Sequence, residues 1–305
     1  MELHKLDLNL FKVFDALMDE RSVTRAAERL ALTQPAVSAS LQRLRESFGD
    51  ALFVRSQRGI NPTLRALALA APIKRILAEA AQLLQPERFE PAQAQFTLSL
   101  AATDYALRAV VLPFITALRL KAPGIRVAVQ TVDDSHMLAR MESGTLDMAL
   151  LTPQSAPPQL HCKSLFEESY VCVLRADHPL ALAGELSLEQ FCALAHGVVS
   201  LQGGGFQGPT DEALARIGRQ RRVMLSVPSF VMLLDAVRSS DLAALVPRRL
   251  LQGAQGLCLI APPLEVAGFR KILVWHARTH DDPGYRWLRE LLFTTCADAL
   301  PPPNH

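Results

Sequence analysis

SVTRAAERLALTQPAVSASLQRLRESFGDALFVRSQRGINP, residues 22–62, decides how the N-terminal part of the chain folds. Ser22 to Leu30 reads as a short amphipathic helix with Ser22 placed to cap it. Ala26 and Ala27 put small side chains where a second helix can cross closely. Ala31-Leu32 makes the turn. Thr33 then caps the next helix, and Pro35 falls in its first turn, where no backbone N–H is needed. Val37, Leu41, Leu44 and Phe48 follow at steps of 4, 3 and 4 residues, one apolar stripe for a core. The polar face of this second helix carries Gln34, Ser38 and Gln42, with Arg43 and Arg45 beyond. Short donors and acceptors reach base edges in a major groove, and flanking arginines hold phosphates. Phe48-Gly49-Asp50 ends the helix. Ala51–Val54 and Ile60–Asn61 read as strands around a tight turn at Gln57-Arg58-Gly59, a hairpin wing with Arg55 and Arg58 near its tip. An ordinary helical hairpin would show the same two helices; the basic wing directly after them turns the reading toward DNA. The expected DNA contacts are Thr33, Gln34, Pro35, Ser38, Gln42, Arg43, Arg55 and Arg58.

This segment and its surroundings resemble the LysR-type transcriptional regulators. The likeness is carried by Asp7-Leu-Asn-Leu10, Ser22-Val-Thr-Arg-Ala-Ala27, Leu32-Thr-Gln-Pro-Ala-Val-Ser38, Leu41-Gln-Arg-Leu44, Phe48-Gly49, Leu52-Phe-Val-Arg55 and Pro62-Thr63. It is dense over the first 65 residues or so and thinner afterwards, and its phrasing is similar to the branch of nodulation and naphthalene/salicylate regulators. One position departs: that branch usually has proline after the threonine opening the linker helix, and Leu64 stands there. The resemblance implies a winged helix-turn-helix head over 1–62, a linker and dimerisation helix over 63–86, and a two-lobed effector domain over 92–305. It also implies a double-stranded DNA operator, a homodimer that associates further to a tetramer, and control by a small molecule; contact with RNA polymerase is left open.

Outward from the head, Asn9–Glu20 reads as a first helix burying Leu10, Phe11, Phe14, Leu17 and Met18. Residues 63–84 read as a long helix. Leu69, Ile73, Ile76, Ala80 and Leu83 recur at 4-3-4-3 spacing, a heptad seam expected to pair two chains, although a helix lying on its own domain can show such a stripe. Pro72 interrupts this helix and predicts a bend. From Gln95 onward, short apolar strands alternate with helices, a parallel α/β layout of two lobes joined by two crossovers, similar to periplasmic binding proteins. Lobe one is expected over about 92–164 and 268–305, lobe two over about 165–267, with a disordered tail at Pro301–His305. The fold class is therefore α/β overall behind an all-α head with a small β wing.

In such sheets ligands sit beyond the carboxyl ends of strands, against helix N-termini. That rule nominates Thr103, Asp104, Tyr105, Thr131 and Thr152 in one lobe. In the other it nominates Ser200, Gln202, Gly203, Phe206 and Phe230. The glycine-rich Ser200–Phe206 loop offers N–H groups for a carboxylate, and Tyr105, Phe206 and Phe230 offer rings. A small organic effector, an aromatic carboxylate foremost, is expected; Asp104 would repel an anion unless it faces away or binds a hydroxyl, so a neutral or cationic effector stays open.

With 305 residues, half of them apolar, the chain is long enough for several cores. Its net charge is +2, and residues 1–62 carry nine Lys or Arg against eight Asp or Glu, so DNA affinity must come from local placement and pairing of heads. The five cysteines are widely spaced with no Cys-x-x-Cys, which fits reduced thiols rather than a disulfide framework or zinc site; a redox-responsive or effector-independent DNA binder is the alternative reading. His276 and His280 lack a third metal ligand, and no nucleophile elbow, zinc-protease or phosphate-loop motif is present, so neither enzyme nor cofactor is expected. No leader and no membrane-length apolar run is read at the sequence level, which predicts a cytoplasmic protein.

Overall fold

Apolar residues at helical spacing make Asn9–Glu20 helix α1, which buries Leu10, Phe11, Val13, Phe14, Ala16 and Leu17. In this computed structural model the described residues are 7–57, 59–83, 88–201 and 203–297. They fall into two units, Met1–Glu87 and Arg88–His305. In the first, helix α2 (Val23–Arg29) is capped by Ser22, whose side chain accepts from Arg25 N, and it buries Ala26 and Ala27. Helix α3 (Gln34–Phe48) is capped by Thr33 and ends at Gly49 in a left-handed conformation, φ 61°. Val37, Leu41 and Leu44 point into one core with α1 and Phe53.

Strands β1 (Phe53–Ser56) and β2 (Gly59–Pro62) pair antiparallel, Val54 opposite Asn61. The first begins two residues later than expected. Asp50 Oδ1 takes the Leu52 amide at 2.7 Å, holding that stretch in a turn in which Leu52 has φ 55°. Gly59 is required at the wing tip: its φ is +129°, and a Cβ there would lie 2.4 Å from the Arg21 carbonyl oxygen.

Helix α4 (Leu64–Gln82) starts from the Thr63 cap and runs through Pro72. Its burial does not follow the expected seam. Ile73 is 2 % exposed and joins the head's own core, where Leu69, Ala70 and Leu77 also pack. Ile76 is 41 % and Leu83 86 % exposed. A 4-3-4-3 spacing cannot distinguish the face that meets the head from the flank beside it, and here the seam residues divide between the two.

The second unit holds two five-stranded sheets. One contains β3 (Thr97–Ala101), β4 (Arg126–Gln130), β5 (Met148–Leu151), β6 (His161–Glu168) and β12 (Phe269–Trp275), in the order β4-β3-β5-β12-β6. The other contains β7 (Tyr170–Arg175), β8 (Ala195–Val199), β9 (Arg222–Val227), β10 (Ala243–Pro247) and β11 (Leu257–Ile260), in the order β11-β7-β10-β8-β9. Each sheet is mixed rather than purely parallel. β12 runs antiparallel to β5 and β6, and β7 antiparallel to β10 and β11. Strand β6 escaped the sequence reading because its first four residues are all exposed, an edge strand without alternation. The first crossover between sheets is Ser169 alone, a few residues later than expected, and the chain returns between β11 and β12.

Helices α5 (Asp104–Ala106) and α6 (Leu112–Lys121) are joined by a π-helical turn, Leu107–Val111. They cover the first sheet with α7 (Met137–Ser143) and α11 (Pro283–Ala297); α8 (Leu188–Ala193), α9 (Pro209–Arg216) and α10 (Phe230–Arg238) belong to the second. One core cluster runs continuously from Leu98, Leu100 and Val110 to Leu233, Val246 and Leu250, so the lobes are packed together and not merely hinged.

Candidate functional site

Thr33 at the N-cap and Gln34, Pro35, Ser38 and Gln42 along α3 are all exposed, outside its buried stripe. Gln34 Nε2 donates to Thr24 Oγ1 at 2.8 Å, which ties the start of the helix to α2, and Gln42 Nε2 donates to Glu46 at 3.1 Å. Part of the expected positive charge is spent internally. Arg43 pairs with Asp7 at 3.1 Å. Arg45 donates to the Ala51 and Phe53 carbonyls at 2.8 and 2.9 Å, so it fastens the wing to α3 instead of facing outward. Arg55 is exposed on the wing and has no ion pair among the described residues. Arg58 lies outside the described residues, as do Gln202, the end of the expected linker helix at 84–86 and the proline-rich tail.

Between the two lobes lies a cavity of about 1020 Å³ at the carboxyl ends of the parallel strands. It brings together Thr103, Asp104, Tyr105, Thr131 and Thr152 of one lobe and Phe230 of the other. Ser200, Gly203 and Phe206 are not among its lining residues; Leu201, Gly208, Pro209 and Thr210 take that wall. The reason is local. Ser200 O accepts from Gly203 N at 2.9 Å, and Ser200 Oγ accepts from Gly205 N at 3.2 Å, so the loop consumes the donors expected to face a carboxylate. Helix α9 begins only at Pro209, and its start is capped by its own Asp211, which accepts from Gly208 N at 2.8 Å.

Asp104 reaches across the lobes. Its Oδ2 accepts from Ser229 Oγ at 2.7 Å and from Val231 N at 3.1 Å, at the N-terminus of α10. A carboxylate so placed complements the helix dipole and its charge is already used. The Tyr105 hydroxyl donates to the buried Glu168 carboxylate. Burial, reinforced by the Glu168 charge, pushes the Tyr105 pKa up, so it remains a donor. Its ring lies 6.2 Å from Phe230 and 5.6 Å from Phe269, an aromatic wall drawn from both lobes.

Lys271 also lines the cavity, and the sequence reading missed it. It is only 4 % exposed, and burial lowers its pKa to about 8. The available signal was a lysine inside the apolar strand Phe269–Trp275. Plain alternation sets its direction: Lys271 lies on the face of β12 that carries Phe269, Leu273 and Trp275, while Ile272 and Val274 face the other way.

These two halves match two known families. Residues 8–67 match the bacterial regulatory helix-turn-helix protein, lysR family, and residues 91–297 match the LysR substrate binding domain. The chain belongs to the LysR family of transcriptional regulators. This LysR-family regulator is 38 % identical over 304 residues to the HTH-type transcriptional activator NagR of Ralstonia sp, covering 98 % of the chain and 100 % of the relative. It is 36 % identical to the HTH-type transcriptional activator NahR of Pseudomonas putida at the same coverage, and 33 % identical to Nodulation protein D 2 of Rhizobium meliloti, covering 96 % and 95 %. The crystal structure of a probable transcriptional regulator, PA0477 from Pseudomonas aeruginosa, is similar with a TM-score of 0.59 at 35 % identity, over 95 % of this chain and 97 % of that one. The expected fold class and a regulatory rather than enzymatic role are thereby shown.

In this LysR-family regulator Cys172 and Cys296 are buried and Cys162 is exposed. All five cysteines are free thiols. Burial pushes Cys172 up to about 12 and Cys296 up to about 11, opposite to what a reactive thiolate needs. Among the described residues no three His, Cys, Asp or Glu side chains gather as metal ligands. His276 caps a short turn at Arg278 N, whereas His280 stacks on His161 at 4.1 Å between centroids and accepts from Trp275 Nε1 at 3.1 Å. No helix among the described residues is long and apolar enough to cross a membrane.

Proposed function

We propose that this protein is a cytoplasmic, effector-responsive regulator whose ligand is a small organic acid carrying an aromatic ring, bound between the two lobes. The observation that carries this reading is the interlobe cavity, whose size suits an effector and whose wall is shared by Tyr105, Phe230 and Phe269. The ligand touches both lobes at once, so it favours one relative arrangement and shifts the population toward it. The same reading assigns Thr103, Thr131 and Thr152 as hydroxyl contacts and Asp104 as a lobe-to-lobe tie. Calorimetry and thermal shift on the full chain, with benzoate-type acids set against amines and sugars, test it. Saturable binding of acids supports the reading, and binding only of amines or sugars contradicts it.

On DNA, the exposed face of α3 reads bases and the wing holds phosphate. Thr33, Pro35, Gln42 and Arg43 position the helix; Gln34 and Ser38 reach base edges, Gln34 by exchanging its bond to Thr24. Ser38→Ala and Gln34→Ala are expected to weaken specific binding by about 1–3 kcal/mol each and leave random DNA nearly unaffected. Arg55→Ala is expected to weaken both alike and to reduce the salt slope by about 1 per protomer. Fluorescence anisotropy across a salt series distinguishes the two behaviours, and an unchanged slope in Arg55→Ala removes the wing from the interface. Dimerisation runs through the flank of α4 that holds Ile76 and Leu83, and a tetramer forms through the α/β halves.

A further inference from the structure

We propose that Lys271 is the residue that receives the carboxylate of the effector, holding it as an ion pair inside the interlobe cavity against the Tyr105–Phe230–Phe269 wall. The proposal deepens the acid reading given above and rests on it.

Three sets of observations lead there. First, the other charges around the cavity are already spoken for. The Arg221 guanidinium lines it but makes two bonds to Asp211, Nε to Oδ1 at 2.9 Å and Nη2 to Oδ2 at 2.7 Å. Asp104 is bonded to the start of α10, and Asp133 to Ser135 and His136 at 2.6 and 2.9 Å. Asp134 is exposed. Second, helix N-termini at the cavity already have partners: α9 its own Asp211, α10 Asp104, and the start of α5 the Thr103 hydroxyl, which accepts from Ala106 N at 3.3 Å. Third, Lys271 has no hydrogen bond or ion pair among the described residues. The contact it does make is with the Tyr105 ring, whose centroid lies 6.0 Å from Nζ.

An ammonium taken out of water without a counter-charge is costly, and a carboxylate entering the cavity removes that cost. The same charge gives discrimination. A neutral amide or ester of the same shape leaves the ammonium uncompensated, whereas an acid is matched. The lowered pKa of Lys271 adds a proton linkage. In the empty cavity its ammonium is half deprotonated near pH 8, and a bound carboxylate restores the proton. Acid binding above that pH therefore takes up a proton. The nearby Tyr105 and Tyr170 do not compete for this role, since burial raises both, Tyr170 to about 12.

The test is isothermal titration calorimetry on the full chain with benzoate and benzamide. Wild type is expected to bind benzoate more tightly than benzamide, and Lys271→Met to lose about 10–100-fold in benzoate affinity while binding benzamide at least as well. Lys271→Gln, which keeps a polar end, should show the same preference for the amide if Lys271→Met proves poorly folded. Independently of any variant, wild-type titrations at pH 9 in buffers of different ionisation enthalpy should reveal proton uptake on binding benzoate but not benzamide. Undiminished benzoate affinity in a folded Lys271→Met or Lys271→Gln overturns the assignment of Lys271 alone, as does absence of proton uptake. Wild type that binds neither benzoate nor its ring-hydroxylated acids overturns the acid reading itself, and the lysine's role with it.

Discussion

Ile76→Glu should leave the chain folded and monomeric, with operator affinity lowered by about two to four orders of magnitude. Ile76 is 41 % exposed on α4, and it is not among the residues packed into the head's core. A carboxylate is therefore tolerated there in a single chain. Between two paired α4 helices it would be buried without a partner, which is strongly unfavourable. Losing the dimer removes the effective concentration of the second head, a factor of about 10²–10⁴ without any change in the contacts of the first. Sedimentation velocity and binding to a two-half-site operator measure both consequences. A dimer with full operator affinity in Ile76→Glu would place the chain-to-chain contact on another surface. Ile73→Glu is the necessary contrast: Ile73 lies in the core of the head, so that change should unfold the head rather than merely separate protomers.

Arg221→Met should destabilise the regulatory half by about 3–5 kcal/mol, the range seen when one partner of a buried ion pair is removed. The Arg221 side chain is buried against Asp211, and its Nη1 lies 3.5 Å from His196 Nδ1. His196 is fully buried, its Nε2 lies 2.7 Å from Phe191 O, and burial lowers its pKa to about 4, so it stays neutral. Burial opposes ionisation of Asp211, but Arg221 more than offsets this and holds its carboxyl below the usual range. Without the guanidinium, Asp211 and the His196 acceptor lose their donor, and the α9 cap beside the cavity loosens. Urea unfolding followed by tryptophan fluorescence isolates this effect, because both tryptophans, Trp275 and Trp287, lie in the Arg88–His305 unit. The double variant Arg221→Met/Asp211→Leu should recover much of the loss. A single variant within about 1 kcal/mol of wild type would remove the pair from the scaffold.

What the sequence disclosed, and what it withheld, follows from the range of the forces involved. Helices α1 to α3 and their caps at Ser22 and Thr33 were legible because they depend on local spacing and on side chains reaching three residues ahead. The α/β alternation was legible for the same reason. Strand β6 was not, since an edge strand held by pairing with β12 needs no apolar pattern of its own. The linker stripe was read as one seam, whereas Leu69 and Ile73 pack into the head and Ile76 and Leu83 remain outward. In the cavity, strand-end logic found the loops that carry Thr103, Thr131, Thr152 and Phe230. Spacing did not reveal which partner, near or far in the chain, claims a polar group. Arg45 is claimed by wing carbonyls, Asp104 by a helix 125 residues away, and the Ser200 loop by its own amides. Lys271 was missed because β12 is buried on both faces, so its pattern does not mark which residue meets the cavity.

The most direct test of effector control is a nuclease footprint of the full chain on the DNA upstream of its own gene, titrated with a benzoate-type acid that calorimetry shows to bind. An acid that shifts the lobes must change the protected length or the pattern of enhanced cleavage between half-sites, with half-saturation at the calorimetric Kd. In Lys271→Met the same change should need about 10–100-fold more acid. A wild-type footprint that stays unchanged at saturating acid, while the acid is demonstrably bound, would contradict the account.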